Sequence, residues 1–306
     1  MGRDIEIRNA AFQRVKELEF IYGDAIPSKA IRDGFDCLGE SVLLLNQAQG
    51  IFKPKLMSRG PISIKTTIPK GNNVNIYNDQ LIDSGFYQYS LERGDPHGER
   101  NVLLWQAYED KTPFIYFHAV SPAVYKAMWP CFVQNILPEL GYAEIVISAQ
   151  QHDSENHTQN YTIPSEIESR YAVRETKIRL HQASFREAVL SVYKNRCAVS
   201  GMPVPKLLEA AHIIPDRLIG DIQTVSNGIA LSRVHHRAYD ANLLGIDPDY
   251  RVHISEELMI PTGGPLLTKG ILEFDGKTLI LPKKVNEQPN KDYLARRFED
   301  FTRYNN

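Results

Sequence analysis

The amino-acid sequence predicts an α+β protein of two domains, a β-rich domain over residues 1–150 and a second domain over residues 165–306. Its 306 residues are 42% hydrophobic and 24% charged, which is typical of folded chains with room for one large or two ordinary cores. Residues 150–160 are polar throughout and lack apolar periodicity, which predicts a linker or a long surface loop. Before this segment short β-type runs dominate, and they place the first domain in a β-rich class.

The first domain begins with one predicted helix and continues as a series of predicted strands. Apolar side chains recur at helical spacing near the N-terminus, at Ile7, Ala11, Val15, Leu18 and Ile21. Five short runs of branched and aromatic residues follow, separated by clusters of Gly, Pro and Asn, at 41–45, 62–68, 86–91, 114–118 and 131–134. Such spacing predicts a small curled sheet or barrel with a few helices.

Two features of this domain are candidates for function. Residues 41–78 contain no Asp or Glu, so the segment is either a chance gap or a strip for polyanion contact, with Lys53, Lys55 and Arg59 as candidate DNA contacts. Aromatic residues are dense between positions 86 and 132, where they fit either a pocket for a flipped base or an ordinary core. The residues of a modified-base pocket therefore stay unassigned.

Charge and cysteine usage limit the function classes. The formal net charge is −2, so binding to nucleic acid must come from local patches. The three scattered cysteines, Cys37, Cys131 and Cys197, argue against a disulfide framework and suit a reducing compartment. No run of about 18 apolar residues occurs, and four of the first ten residues are charged, so we expect a cytoplasmic protein without a membrane partner.

The second domain opens with a basic helix. Residues 176–194 carry apolar side chains at helical spacing and predict a helix that ends near Asn195. The segment from position 170 to 196 contains seven Lys and Arg residues and only two Glu residues. It is a second candidate patch for nucleic acid. At the other end of the domain, residues 291–304 predict an amphipathic helix that packs either on its own chain or on a second copy.

The residues that point to chemistry lie between positions 197 and 240. His212 ends a predicted short strand, and Asn227-Gly228 predicts a turn into an apolar segment. His236 and Asp240 are four residues apart, so on a helix they share one face and can bind one divalent ion. Phosphodiester hydrolysis needs such an ion at the phosphate, and it needs a base such as a neutral histidine to accept the proton of the attacking water.

This segment resembles the HNH family of nucleases, whose ββα-metal fold places a base histidine on a hairpin and metal ligands on the hairpin and a helix. The three letters fall on His212, Asn227 and His236, with the asparagine nine residues before the last histidine, as in the typical pattern. Over the core motif, residues 195–247, the resemblance implies His212 as general base and Asn227 as the brace of the hairpin loop. It implies His236 as metal ligand and Asp240 as a further ligand of Mg²⁺, Mn²⁺ or a similar ion.

The motif departs from the family pattern at the metal sites. Ala211 stands where many relatives carry an aspartate ligand, and Glu209, on the same side of the strand, is a candidate for an additional metal or phosphate contact. His235 is a second candidate of this kind, or else a capping and packing residue. Many relatives also bind a structural zinc through four cysteines. The corresponding positions here are Cys197, Ser200, Ser232 and His235. These are too few thiolates for a closed site, so no structural zinc is predicted.

The two arginines that flank the histidine pair, Arg233 and Arg237, are candidate DNA contacts, although exposed helix arginines often have no specific role. Over most of its length the sequence is similar to restriction endonucleases in which a β-rich region, with motifs such as residues 50–55 and 113–118, precedes an HNH domain. That order resembles modification-dependent restriction enzymes, whose first domain is often a PUA- or SRA-like barrel that reads a modified base.

The resemblance implies a metal-dependent endodeoxyribonuclease of a restriction or defence system that acts on double-stranded DNA, modified bases included. Because one active site cuts one strand, cleavage of a duplex predicts a homodimer. Two alternatives stay open: an HNH nuclease that acts on RNA or on any DNA, and a non-catalytic DNA-binding regulator on the same scaffold.

Overall fold

The chain divides into two compact units, Met1–Ala183 and Ser184–Asn306. The computed structural model describes residues 2–66, 68, 81–82, 86–92, 94–148, 163–215, 224–259 and 263–305. The predicted linker at 150–160 lies outside the described residues, as does part of the predicted acid-free strip. None of the described helices is both long enough and apolar enough to cross a membrane.

The first unit combines helices with short strands. Its helices are α1 (Gly2–Tyr22), α2 (Ser28–Arg32), α3 (Asn101–Asp110) and the start of α4 (Glu166–Val192), which ends in the second unit. Its strands are β1 (Ile26–Pro27), β2 (Phe35–Cys37), β3 (Glu40–Val42), β4 (Ile51–Phe52), β5 (Ser63–Lys65), β6 (Leu81–Ile82), β7 (Phe86–Ser90), β8 (Phe114–Ser121), β9 (Val124–Leu137) and β10 (Tyr142–Ile147). The N-terminal helix predicted from its apolar spacing is confirmed as α1, in which Ile7, Ala11, Val15 and Leu18 are buried, whereas Ile21 is exposed.

One curled sheet organises this unit. The strands lie in the order β4-β5-β8-β9-β10-β7-β6, and β1 pairs with β9. Tyr87 on β7 and Tyr116 on β8 have ring centroids 6.1 Å apart, although β9 and β10 separate their strands in the sheet. Such a contact requires the sheet to bend round onto itself, as right-handed twist and β-bulges allow. The expected small curled sheet is therefore present.

The second unit is built round a hairpin and the helix that follows it. Its elements are β11 (Leu208–His212), β12 (Gly228–Ser232), α5 (Arg233–Asp240), β13 (Leu244–Ile246), β14 (Val252–Ile254), α6 (Pro265–Gly270) and α7 (Lys291–Asn305). β11 and β12 pair antiparallel, with Leu208 opposite Ser232 and His212 opposite Gly228. Ser232 then caps α5, because its side chain accepts a hydrogen bond from the backbone N–H of His235.

Gly228 allows the hairpin to lie close against α4. A Cβ at this position would be 2.4 Å from Val189 Cγ2 and 2.8 Å from Phe185 Cζ, closer than packed atoms allow. Its φ of −129° is ordinary extended backbone, and the turn before it is a short 3₁₀ segment, Val225–Asn227. The glycine of the Asn-Gly pair is therefore required for close packing and not for a left-handed turn.

The C-terminal helix α7 packs on its own chain. Leu294 and Phe301 are buried, and Phe301 lies where a side chain at position 245 would clash. Arg297 donates hydrogen bonds to the backbone carbonyl of Tyr239 and, at 2.6 Å, to Asn242 Oδ1, so α7 supports the C-terminal end of α5.

Candidate active site

His212 is the last residue of β11, and its ring is held by α4. The imidazole is half-buried and stacks on Phe185, with ring centroids 4.0 Å apart and the planes within 5° of parallel. Gly228, opposite His212 in the hairpin, leaves the space that Phe185 occupies. Stacking of this kind restricts rotation of the ring about its Cβ–Cγ bond.

Asn227 fastens the chain directly after His212. Its Oδ1 accepts a hydrogen bond from the Ile214 N–H at 3.0 Å, and its Nδ2 donates to the Ile214 carbonyl at 3.0 Å. The backbone N–H of Ile213 donates to the Asn227 carbonyl at 2.9 Å. Asn227 is fully buried, so these bonds are shielded from water and fix the end of the hairpin. This geometry corresponds to the bracing role inferred for Asn227.

His236 on α5 lies between two carboxylates. Its Nδ1 is 2.7 Å from Glu209 Oε2 on β11, and its Nε2 is 3.4 Å from Asp240 Oδ2, one helical turn later on α5. The other oxygen of Glu209, Oε1, is 3.2 Å from Arg233 Nε. The side chains predicted from spacing are thus brought together, with Glu209 beside His236 as the third member of the cluster.

His236 and Asp240 suit a divalent ion whose remaining ligands are waters and substrate phosphate oxygens. Within the described ranges, no three His, Cys, Asp or Glu side chains are grouped so as to hold a metal ion by themselves. Mg²⁺ is usually bound by one or two protein ligands together with waters and substrate phosphates. An imidazole and a carboxylate whose nearest atoms are 3.4 Å apart fit that pattern, because two ligands of one small ion lie at about this separation.

Arg233 and Arg237 extend from α5 beside this cluster. Both are exposed, and they line an open groove of about 580 Å³ with an apolar floor. The floor residues are Ala238, Ala241, Leu243, Leu258 and Ile271. Arg233 also pairs with Glu209 at 3.2 Å, whereas Arg237 forms no ion pair with the described residues.

Residues 197–247 match the family model of HNH endonucleases, over the hairpin and helix that carry His212, Asn227 and His236. By this match, the segment is similar to HNH endonuclease domains. A solved structure of a modification dependent TagI restriction endonuclease is similar to the chain at 14% sequence identity and a TM-score of 0.30, covering 78% of this chain and 81% of that one. No curated protein matches the sequence.

Cys197 and His235 form a buried cysteine–histidine pair, with His235 on the buried side of α5. Cys197 Sγ is 3.3 Å from His235 Nδ1 and accepts hydrogen bonds from the backbone N–H groups of Ser200 and Ser232. His235 Nε2 donates to the Gly270 carbonyl at 2.7 Å. The four positions that bind zinc in many relatives are therefore adjacent here and joined by hydrogen bonds. His235 faces this network and not the His236 cluster, which gives it a packing role.

Electrostatics strengthens that pair. Burial would raise the pKa of the Cys197 thiol, but hydrogen bonds from His235 and Ser200 outweigh burial and lower the pKa to about 6. Burial would lower the pKa of His235, whereas the bond and charge of Cys197 raise it. The two shifts act in the same direction, since each favours the charged form of its group and so strengthens the contact between Cys197 and α5.

The candidate DNA contacts of the first unit are partly engaged within the protein. Arg59 pairs with Glu109 at 3.0 Å and with Asp110 at 2.8 Å, and Lys53 Nζ donates to the Met57 carbonyl at 2.7 Å. Lys55 is exposed. Within the acid-free stretch, the charge of Arg59 is therefore neutralised by acids of α3, which sequence spacing does not show.

The aromatic residues of the first unit are mostly core. Phe114, Tyr116, Phe117 and Phe132 are fully buried, which favours the core interpretation for them. Near the surface, His97 stacks on Trp105 with centroids 4.8 Å apart, and Tyr108 packs edge-on against Trp105. Glu109 and Asp110 follow on the same helix, where both pair with Arg59.

Proposed function

We propose that the chain is a metal-dependent DNA endonuclease of the restriction or defence type, with the cut made in its HNH domain. The observation that carries the proposal is the cluster of His236 and Asp240 on α5, in the same matched segment as His212 at the end of β11. This combination offers a base and a metal site on two elements of one small hairpin–helix unit.

In the proposed mechanism His212 is the general base. A neutral imidazole accepts the proton of the water that attacks phosphorus, and stacking on Phe185 keeps the ring in one orientation for that transfer. Asn227 fixes the backbone directly after His212, so the base is held both through its ring and through its backbone.

His236 and Asp240 would hold the divalent ion, Mg²⁺ or Mn²⁺, which when bound neutralises the scissile phosphate and stabilises the departing 3′-oxygen. Departure of that oxygen leaves a 3′-hydroxyl and a 5′-phosphate. Arg233 and Arg237, exposed beside the cluster, would position neighbouring phosphates of double-stranded DNA. Because each chain contributes one such site, we propose a homodimer for cutting both strands.

Phe185 gives a test of the positioning step. Replacing Phe185 by Leu keeps an apolar side chain but removes the stacked ring, and we expect the cleavage rate to fall about 5-fold, because an aromatic pair contributes roughly 1 kcal/mol. Single-turnover cleavage of a plasmid measures the rate. Val189→Ala, on the same helix and against the same glycine, is the control and should keep the wild-type rate at a temperature where both variants are folded. Equal rates for all three proteins would contradict a positioning role.

We propose that the first unit reads the target, as a PUA- or SRA-like module for a modified base. The support for this is its curled sheet together with the order of the two units. Phage DNA that carries modified bases should be cut at least about 10-fold faster than the same sequence amplified with plain nucleotides, a difference of about 1.4 kcal/mol in recognition. Equal rates on both substrates would remove the reader role and leave the nuclease in place.

A non-catalytic regulator on the HNH scaffold is the second candidate. Ala211, fully buried and without a carboxylate where many relatives carry a ligand, is the observation that favours it. Calorimetry with Mn²⁺ separates the two functions, because a regulator of this kind has no need to bind the ion.

A further inference from the structure

Glu209 contacts two side chains of α5 at once. On β11 it lies opposite Leu231 of β12, and its two carboxylate oxygens reach across to the helix. Oε2 is 2.7 Å from His236 Nδ1, and Oε1 is 3.2 Å from Arg233 Nε. Both oxygens therefore have a positively polarised partner within the protein.

The contact with His236 decides which ring nitrogen carries the proton. An ionised carboxylate can only accept hydrogen bonds, so a separation of 2.7 Å requires a proton on His236 Nδ1. In the neutral ring the lone pair is then on Nε2, the nitrogen that lies 3.4 Å from Asp240 Oδ2. The metal-binding lone pair and the second carboxylate consequently face each other on the same side of α5.

The same contacts make Glu209 a poor metal or phosphate contact. Its oxygens are occupied by His236 and Arg233, and it lies on the Nδ1 side of the ring, away from the Asp240 side. A carboxylate that accepts from the far nitrogen of a metal-binding histidine is a common arrangement, and it orients the ring and raises the basicity of the ligating nitrogen.

We propose that Glu209 is a positioning residue that fixes His236 as the Nδ1–H tautomer and directs Nε2, beside Asp240, toward the divalent ion; the proposal rests on the proposed metal-dependent function. Arg233 holds the second oxygen of Glu209 and so fixes the carboxylate. The role replaces the candidate metal or phosphate contact expected for Glu209 from its place on the strand.

The tautomer of His236 is a direct readout that requires neither metal nor activity. Nitrogen NMR of the full-length protein labelled with ¹⁵N-histidine, without metal, distinguishes protonated from unprotonated ring nitrogens, and the signal absent from His236→Gln identifies the residue. Wild-type protein should show a protonated Nδ1 and an unprotonated Nε2. Glu209→Ala should shift the signal toward the Nε2–H form, which is the form free imidazole side chains prefer in water. A wild-type ring protonated on Nε2 alone would overturn the proposal.

Metal affinity is the second readout. Glu209→Gln keeps the shape of the side chain, but its amide can present either oxygen or nitrogen to Nδ1, so it no longer enforces one tautomer. We expect calorimetry to give Mn²⁺ binding about 10- to 100-fold weaker than wild type, as for other partners of ligating histidines. The matched control is Asp247→Asn, because Asp247 accepts from His253 Nε2 at 2.8 Å in a pair outside the cluster. This control should bind Mn²⁺ as wild type does.

The outcomes separate this proposal from the function on which it rests. Unchanged Mn²⁺ affinity in Glu209→Gln and Glu209→Ala would overturn the positioning role. Complete loss of binding in both variants, as in His236→Ala, would make Glu209 a ligand and would also overturn it. If wild-type protein shows the Nδ1–H tautomer but neither binds Mn²⁺ nor cuts DNA, the nuclease function fails while the orientation of His236 by Glu209 stands.

Discussion

Replacing His212 by Ala should reduce cleavage of supercoiled plasmid by about 100- to 10,000-fold, the contribution typical of a general base. The alanine removes the group that accepts the proton of the attacking water, while Asn227 continues to hold the hairpin through Ile214. Binding of Mn²⁺ should stay at the wild-type level, because His236 and Asp240 are untouched. Single-turnover rates at saturating Mg²⁺ or Mn²⁺ measure the loss.

The control for His212→Ala is another histidine of the same unit. His253 bonds to Asp247 and stacks at a tilt against Phe298, away from the His236 cluster. His253→Ala should therefore keep the wild-type cleavage rate. A His212→Ala protein that folds, binds Mn²⁺ and cuts as fast as wild type would exclude His212 as the base.

The second large effect is expected from His236. In His236→Ala the ligand Nε2 is lost and Asp240 alone faces the metal position, so Mn²⁺ binding should fall below detection by calorimetry and cleavage should fall to background. Glu209 would be left with Arg233 as its partner, so no unpaired buried charge results and the fold should persist. Circular dichroism and thermal unfolding check that persistence.

Asp240→Asn provides the graded comparison. The amide keeps a ligand oxygen but loses the charge, so we expect weakened Mn²⁺ binding that higher metal concentration partly overcomes. Full activity of His236→Ala at ordinary metal concentration would show that the ion, if required, binds elsewhere in the chain.

Local patterns predicted the elements that carry the site. Helix α1 follows from apolar periodicity, because packing against one core selects the same face that the sequence marks as apolar. The strand ending at His212 and the helix containing His236 and Asp240 follow instead from the order and spacing of the HNH motif. The predicted strand at 131–134 is part of a longer strand, β9. The prediction is too short because a strand buried on both faces has no polar alternation to mark its start. The helix predicted at 176–194 corresponds to α4, which begins earlier, at Glu166.

Local sequence patterns do not predict contacts between residues that are far apart in the chain. Helix α3 was not predicted, since its buried Leu103, Leu104 and Ala107 lie in an aromatic-rich stretch that resembles the neighbouring strands. The pairing of Arg59 with α3 joins positions about 50 apart, and no local pattern encodes it. The partner of Glu209 was also missed: strand alternation showed the side it faces, but only the packing of α5 on β11 places it against His236 Nδ1.

The central claim is that the HNH domain is a metal-dependent phosphodiesterase site. The most direct test incubates the full-length wild-type protein with supercoiled plasmid from modified and unmodified sources, in Mg²⁺, in Mn²⁺ and in EDTA. We expect open-circular and linear DNA with 5′-phosphate and 3′-hydroxyl ends in either metal and intact plasmid in EDTA. Plasmid that stays supercoiled in both metals, or that is cut equally well in EDTA, would contradict the claim.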